Sequence, residues 1–270
     1  IETLEDNEHH RHNLNLTYAI RDGIISHCGE MNQMSIKKRD EYIDLQNYTS
    51  PGQYNPYTWE GCVVKMADKI AYLARDIEDA LRLKVLKENK VEVLKASLNN
   101  ITSEYHFTAI NNGTVVNYFI QDVCSHSNPS DGISLSKGAF EIMKTIMKFN
   151  YQNIYLIDRV QIHTNYVKLI LNSIFDFFIK YDLMARDSNT NIIDEISKDK
   201  DQFPHAINGF IHWLEKYSVM NGAKRDSLYQ NKVIYDFIND DKAIIKSVLD
   251  YLSGMSDAYI IQIFNELISF

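Results

Sequence analysis

The chain has 270 residues, 45% of them hydrophobic, enough for one large domain or two small ones with a real core. A formal charge of −8 and a pI near 5.6 exclude a global attraction to nucleic acid or anionic lipid and leave any polyanion to a local basic pocket. No run reaches the roughly 18 apolar residues of a membrane span, since LILNSIFDFFI is broken by Asn172, Ser173 and Asp176. Only four Pro and ten Gly point to long helices rather than many tight turns.

The chain opens on IETLEDNEHH, acidic and polar, with no secretory signal, and its Ile start implies that something precedes it. His9, His10 and His12 read as a His-rich surface loop rather than a metal cluster. Leu16, Ile20, Ile24 and Ile25 mark an amphipathic helix within Leu14 to Glu30, capped by Asn15 or Thr17. His27 and Glu30 at its end are open to two readings, site residues or ordinary packing partners. A short polar helix is expected around Ser35 to Leu45, followed by a loop from Gln46 to Thr58 whose tyrosines suit a pocket or a surface equally. The three cysteines show no paired spacing. Cys28 and Cys62 fall in predicted helices and read as buried free thiols of a reducing, cytoplasmic setting.

Thr58 to Arg82 is the strongest helical stretch. Val63, Met66, Ala67, Ile70, Leu73, Ala74, Ile77 and Leu81 recur at helical spacing, and Thr58 is the expected N-cap. Asp68, Tyr72 and Asp76 stand four residues apart, each displaced about 40° around the axis, so they share one face. Lys65, Lys69, Arg75, Asp79 and Arg82 fall toward the same side and read, by themselves, as a solvated stripe.

Beyond Leu86 the segments KVEVLKASL, TVVNYFIQDVC, LSKGAFEIMKTIMKF, the run from Val160 to Met184, HAINGFIHWLEKYSVM, KVIYDFI and DKAIIKSVLDYL all read as helices, with no strand-like alternation and no repeat. Met184 to Pro204 is charged and reads as a flexible excursion. Near the end, Gly254 stops one helix and Ser256 caps the last. The fold class is all-α.

Four strings carry a family resemblance. ADKIAYLARDIEDA, Ala67 to Ala80, resembles the signature helix of the HD-domain deoxynucleoside triphosphate triphosphohydrolases, the dGTPase family. LNLT with RDGI and HCGE just upstream, FNYQNIY after the LSKGAFEIMKTIMK helix, and the closing GMSD are similar to the same family in the same order. The resemblance implies an HD-domain-type helical bundle with additional C-terminal helices. Residues 1–86 would be the C-terminal part of the catalytic domain and 87–270 the helical C-terminal region.

The activity implied is metal-dependent release of tripolyphosphate from a dGTP-like deoxynucleoside triphosphate, in a cytoplasmic homo-oligomer. The family holds a divalent ion, Mg, Mn or another transition metal, through two histidines and two aspartates, and Asp68 matches the second aspartate. Lys69 matches a lysine that contacts the triphosphate, a point charge suited to it. Tyr72 matches a tyrosine set against the sugar, and Asp76 an aspartate that accepts from the 3′-hydroxyl. No general base is assigned. The dipeptide His-Asp occurs nowhere in the chain. The resemblance therefore covers the last two-thirds of a family member, and a truncated product is the leading expectation. Rival expectations are a non-catalytic nucleotide-binding regulatory protein, an HD phosphohydrolase acting on another nucleotide, and a helical scaffold without nucleotide affinity.

Overall fold

The computed structural model describes residues 14–29, 33–188, 192–219, 225, 229–237, 239–240 and 242–269. The described residues form ten α-helices, and their one sheet is a two-residue antiparallel pair, so the chain is all-α. None of these helices is long and apolar enough to cross a membrane. The chain divides into two compact units, Leu16–Ile162 and a second made chiefly of His163–Phe270, each with its own hydrophobic core.

The first unit holds α1 (Tyr18–Ser26), α2 (Trp59–Arg82), α3 (Glu88–Ile101), α4 (Asn112–His126) and α5 (Lys137–Asn150). Its axis is α2, which packs against α1, α4 and α5. The expected cap forms: Thr58 Oγ1 accepts the Gly61 N–H at 3.1 Å, satisfying one of the helix's orphan donors. Glu60 in the first turn and Arg82 in the last complement the helix dipole. The helix ends where Lys84 turns left-handed at φ 55°, which brings the Val85 and Leu86 N–H groups back to the Ala80 carbonyl. Met66, Ile70, Leu73, Ala74 and Ile77 are buried as the spacing predicts, whereas Val63 is exposed. Thr17, not Asn15, caps α1, accepting from the Ile20 N–H.

Three expectations are corrected in this unit. Lys65 and Lys69 do not belong to a solvated stripe; they are 0% and 6% exposed, because neighbouring structure covers that side of α2. Ser35 to Leu45 is not a helix. Ser35 and Ile36 form β1 and pair with Ser134 and Ile133 of β2, and the Arg39 N–H then donates to the Pro56 carbonyl at 2.9 Å. With these backbone groups bonded to distant partners, the local helical bonds are forgone. Cys28 lies beyond the end of α1 and is exposed, as is Cys124; Cys62 is buried as expected, and all three are free thiols. Gly29 has φ 99°, and a side chain there would collide with the backbone of Pro51 and Gly52, so the loop closes on α1 only over a glycine.

The second unit continues α6 (Asp158–Ser188) and adds α7 (Ile192–Ser197), α8 (Pro204–Tyr217), α9 (Ala243–Ser253) and α10 (Asp257–Ile268). Pro204 opens α8, where its missing N–H costs nothing. Ala206, Ile207, Phe210 and Leu214 of α8 are fully buried, and the helix contacts α7, α9 and α10. Gly254 and Ser256 separate α9 from α10 as expected, with Ser256 Oγ accepting the Tyr259 N–H.

Two readings are corrected here as well. The described part of Met184 to Pro204 is largely helical, because α6 runs on to Ser188 and α7 buries Ile196 completely. KVIYDFI is not a helix in its described residues: the Ile234 and Tyr235 N–H groups both donate to the Tyr217 carbonyl. Tyr235 OH is held by Trp213 Nε1 at 3.2 Å and donates to Asp250 at 3.0 Å, which ties the segment down in extended form.

Candidate functional site

Two cavities of the first unit open along α2. The larger, about 700 Å³, lies between α1 and the start of α2, with Ile20, Ile24 and Val64 on its apolar walls and His27, Glu60 and Asp68 as polar groups. The second, about 340 Å³, lies between α2, α5 and the turn that follows α5; Tyr72, Lys144, Lys148, Asn150, Tyr151 and Tyr155 line it. Asp68 and Tyr72 are thus brought to two neighbouring openings on one helix, about 6 Å apart along its axis.

The turn after α5, Tyr151–Tyr155, is π-helical. Its wider winding is a form often found at functional sites. From it Tyr155 OH donates to the Asp76 carboxylate, linking Asp76 to the wall of the smaller cavity. Asp76 and Tyr72 are both half-buried. Lys69 lines neither opening and is buried, next to the exposed Asp68. One turn earlier, Lys65 Nζ donates to the Ser26 carbonyl at 3.1 Å, pinning the end of α1 to α2. Burial holds this ammonium below its ordinary range, and burial likewise raises the neighbouring Cys62 thiol to about 11.

His27 Nδ1 stands 2.6 Å from the Ile24 carbonyl, an acceptor, so Nδ1 donates there, and Nε2 lies 3.5 Å from Cys28 Sγ. His27 and Asp68, both side chains of metal-ligating type, line the larger cavity. Among the described residues, no three His, Cys, Asp or Glu side chains come together as a metal-binding group. The described residues therefore do not by themselves make up a resident ion's full ligand set. His9, His10, His12 and Glu30 lie outside the described residues.

The α1 wall is held by a buried ionic cluster. Arg39 pairs with Asp22, whose other oxygen accepts the Tyr57 N–H at 2.8 Å, and Arg39 also donates to Tyr18 OH at 2.7 Å and to the Asn55 carbonyl at 2.6 Å. Tyr18, Tyr42 and Tyr57 pack ring to ring around it. Of the loop tyrosines, Tyr57 therefore serves this cluster, and Tyr48 packs against Tyr54 with the rings tilted at 56°; neither they nor Tyr42 lines a described cavity.

Helical periodicity gave no hint of Tyr155, Lys148 or Asn150 as cavity residues. The only signal was the string FNYQNIY, which resembles the family, and a π-helical turn has no signature in a 3.6-residue pattern.

No family model matches the chain. Curated relatives named deoxyguanosinetriphosphate triphosphohydrolase-like protein do: that of Clostridium tetani (strain Massachusetts / E88) is 26% identical over 255 residues, 94% of this chain and 54% of the relative. That of Clostridium perfringens (strain SM101 / Type A) is 25% identical over 263 residues, again 94% and 54%. That of Rickettsia bellii (strain RML369-C) is 22% identical over 277 residues, 95% of this chain and 62% of the relative. The chain spans about half the length of the first two relatives. The chain is thus similar, over nearly all of its length, to proteins named deoxyguanosinetriphosphate triphosphohydrolase-like protein.

Proposed function

We propose that the chain carries the nucleotide-holding part of a hydrolase that converts a deoxynucleoside triphosphate to the deoxynucleoside and tripolyphosphate. The observation that carries this reading is the arrangement on α2. Tyr72 lines the smaller cavity, and Asp76, one turn on, is held to the same cavity's wall by Tyr155. Asp68 opens into the larger cavity one turn before. About 12 Å of helix thus runs from a carboxylate suited to the phosphate end to a phenol and a carboxylate suited to the sugar end.

In this reading the Tyr72 ring packs against the deoxyribose, where a 2′-hydroxyl would collide, and Asp76 accepts from the 3′-hydroxyl. Lys69 matches the lysine that contacts the triphosphate in the resembled family, but it is buried and lines neither cavity, so that contact requires it to turn outward. Asp68 would supply one carboxylate ligand to a divalent ion. The names of the relatives support the reaction class.

Phosphorus NMR of the purified protein with dGTP and Mg²⁺ tests the reading. Tripolyphosphate is the expected product. Intact dGTP that nonetheless binds would favour a nucleotide-binding regulatory protein, and absence of binding would leave a phosphohydrolase of another nucleotide or the helical scaffold.

A further inference from the structure

Asn150 is the last residue of α5 and is 1% exposed. Its Nδ2 donates to the Leu73 carbonyl at 2.8 Å, which fixes the amide, because the reverse assignment would set two oxygens against each other. Oδ1 is then a buried acceptor with no hydrogen-bond partner among the described residues. Buried side-chain acceptors are nearly always paired, so such an atom calls for a specific explanation. Support of α2 does not supply one. Leu73 lies mid-helix, where its carbonyl already receives a backbone N–H from the following turn.

The surroundings do supply one. Asn150 lines the same cavity as Tyr72 and Tyr155, and Tyr155 ties Asp76 to that wall. Asn150 Oδ1 is therefore an unpaired acceptor on a residue of the cavity wall, whereas the Asp76 carboxylate is engaged by Tyr155; such an acceptor matches a ligand with a hydroxyl donor. Lys148 adds positive charge at the same opening, while Lys144, also there, is paired with Glu141 at 2.6 Å. Resting on the functional reading above, we propose that Asn150 is a specificity-determining residue whose Oδ1 accepts a hydrogen bond from the sugar hydroxyl of a bound deoxynucleotide. A nucleotide lacking that donor leaves the acceptor buried and unpaired, and the site rejects it.

The test is calorimetric titration of the full chain with dGTP and with 2′,3′-dideoxy-GTP, for the wild type, Asn150→Leu and Asn150→Ser. The wild type is expected to bind dGTP about tenfold more tightly than the dideoxy analogue. Asn150→Leu, which has no acceptor, is expected to reduce that preference to what Asp76 alone supplies while keeping its affinity for the analogue, and the retained affinity shows that the variant folds. Asn150→Ser, which keeps an oxygen, is expected to retain part of the preference. A wild type that binds both nucleotides equally, or an Asn150→Leu variant that weakens both alike or neither, would overturn the proposal while leaving the hydrolase reading intact. Failure of the folded wild type to bind dGTP at all would overturn both.

Discussion

Tyr155 and Asp76 are hydrogen-bonded across 79 positions of sequence, the phenol donating to the carboxylate. This bond joins the helix that carries the family-like string to the π-helical turn after α5. It sets which way Asp76 faces, since a half-buried carboxylate without such a donor has several accessible rotamers.

Tyr155→Phe removes the donor and keeps the ring. The expected result is a loss of about 1 to 2 kcal/mol in unfolding stability and roughly tenfold weaker binding of dGTP. Urea denaturation with calorimetric titration measures both. Unchanged binding alongside lost stability would show that the bond serves the fold and not the site.

Asp22 and Arg39 are a buried pair, with side chains 2% and 11% exposed. Removing one partner of such a pair leaves the other charge unpaired in a poor solvent, at a typical cost of about 3 to 5 kcal/mol. Asp22→Asn is expected to approach that loss in urea denaturation, because it also weakens the bond to the Tyr57 N–H. Arg39→Met should cost a similar amount. A loss near zero for either would mean that the cluster is solvated.

Gly209 sits in α8 where a Cβ would overlap the hydroxyls of Tyr251 and Tyr259, which bond to each other at 3.1 Å. Gly209→Ala gains helix propensity of about 1 kcal/mol but overpacks the junction by about 1 to 3 kcal/mol, so net destabilisation is expected. In the Tyr259→Phe background the penalty should shrink. Thermal unfolding of the four variants forms the cycle, and equal penalties in both backgrounds would locate the clash elsewhere.

Lys65 is fully buried, and burial holds its ammonium below the ordinary 10.5. The folded chain therefore binds this proton less tightly than the unfolded chain does. The group's contribution is complete above pH 10.5 and is lost as pH falls through the lowered folded value. The stability difference between the wild type and Lys65→Met should thus move in favour of the wild type as pH rises toward 10.5. Denaturation of both proteins across that range measures it, and parallel curves would contradict the burial of the charge.

Native thiol titration reports the same corner of the fold. Cys28 and Cys124 are exposed and should react with a disulfide reagent near neutral pH, while Cys62, buried and with its thiol raised to about 11, should react only after denaturation. A Cys62 that reacts as fast as the exposed pair would show that α2 opens there.

The all-α class, the long α2 with its Thr58 cap, the Gly254 and Ser256 boundary and the shared face of Asp68, Tyr72 and Asp76 were all legible in the sequence. Each depends on interactions within a few residues: capping bonds, the absence of proline and the 3.6-residue period. What the sequence alone misjudged depends on distant partners. Lys65 reads as solvated until the Ser26 carbonyl of α1 is placed against it, and Ser35 to Leu45 reads as helix until β2 and the Pro56 carbonyl claim its backbone. The grouping of Tyr72 with Asn150, Lys148 and Tyr155 was likewise decided by tertiary structure alone. A cavity is the space left between separately folded helices, and no local pattern encodes which side chains will border it.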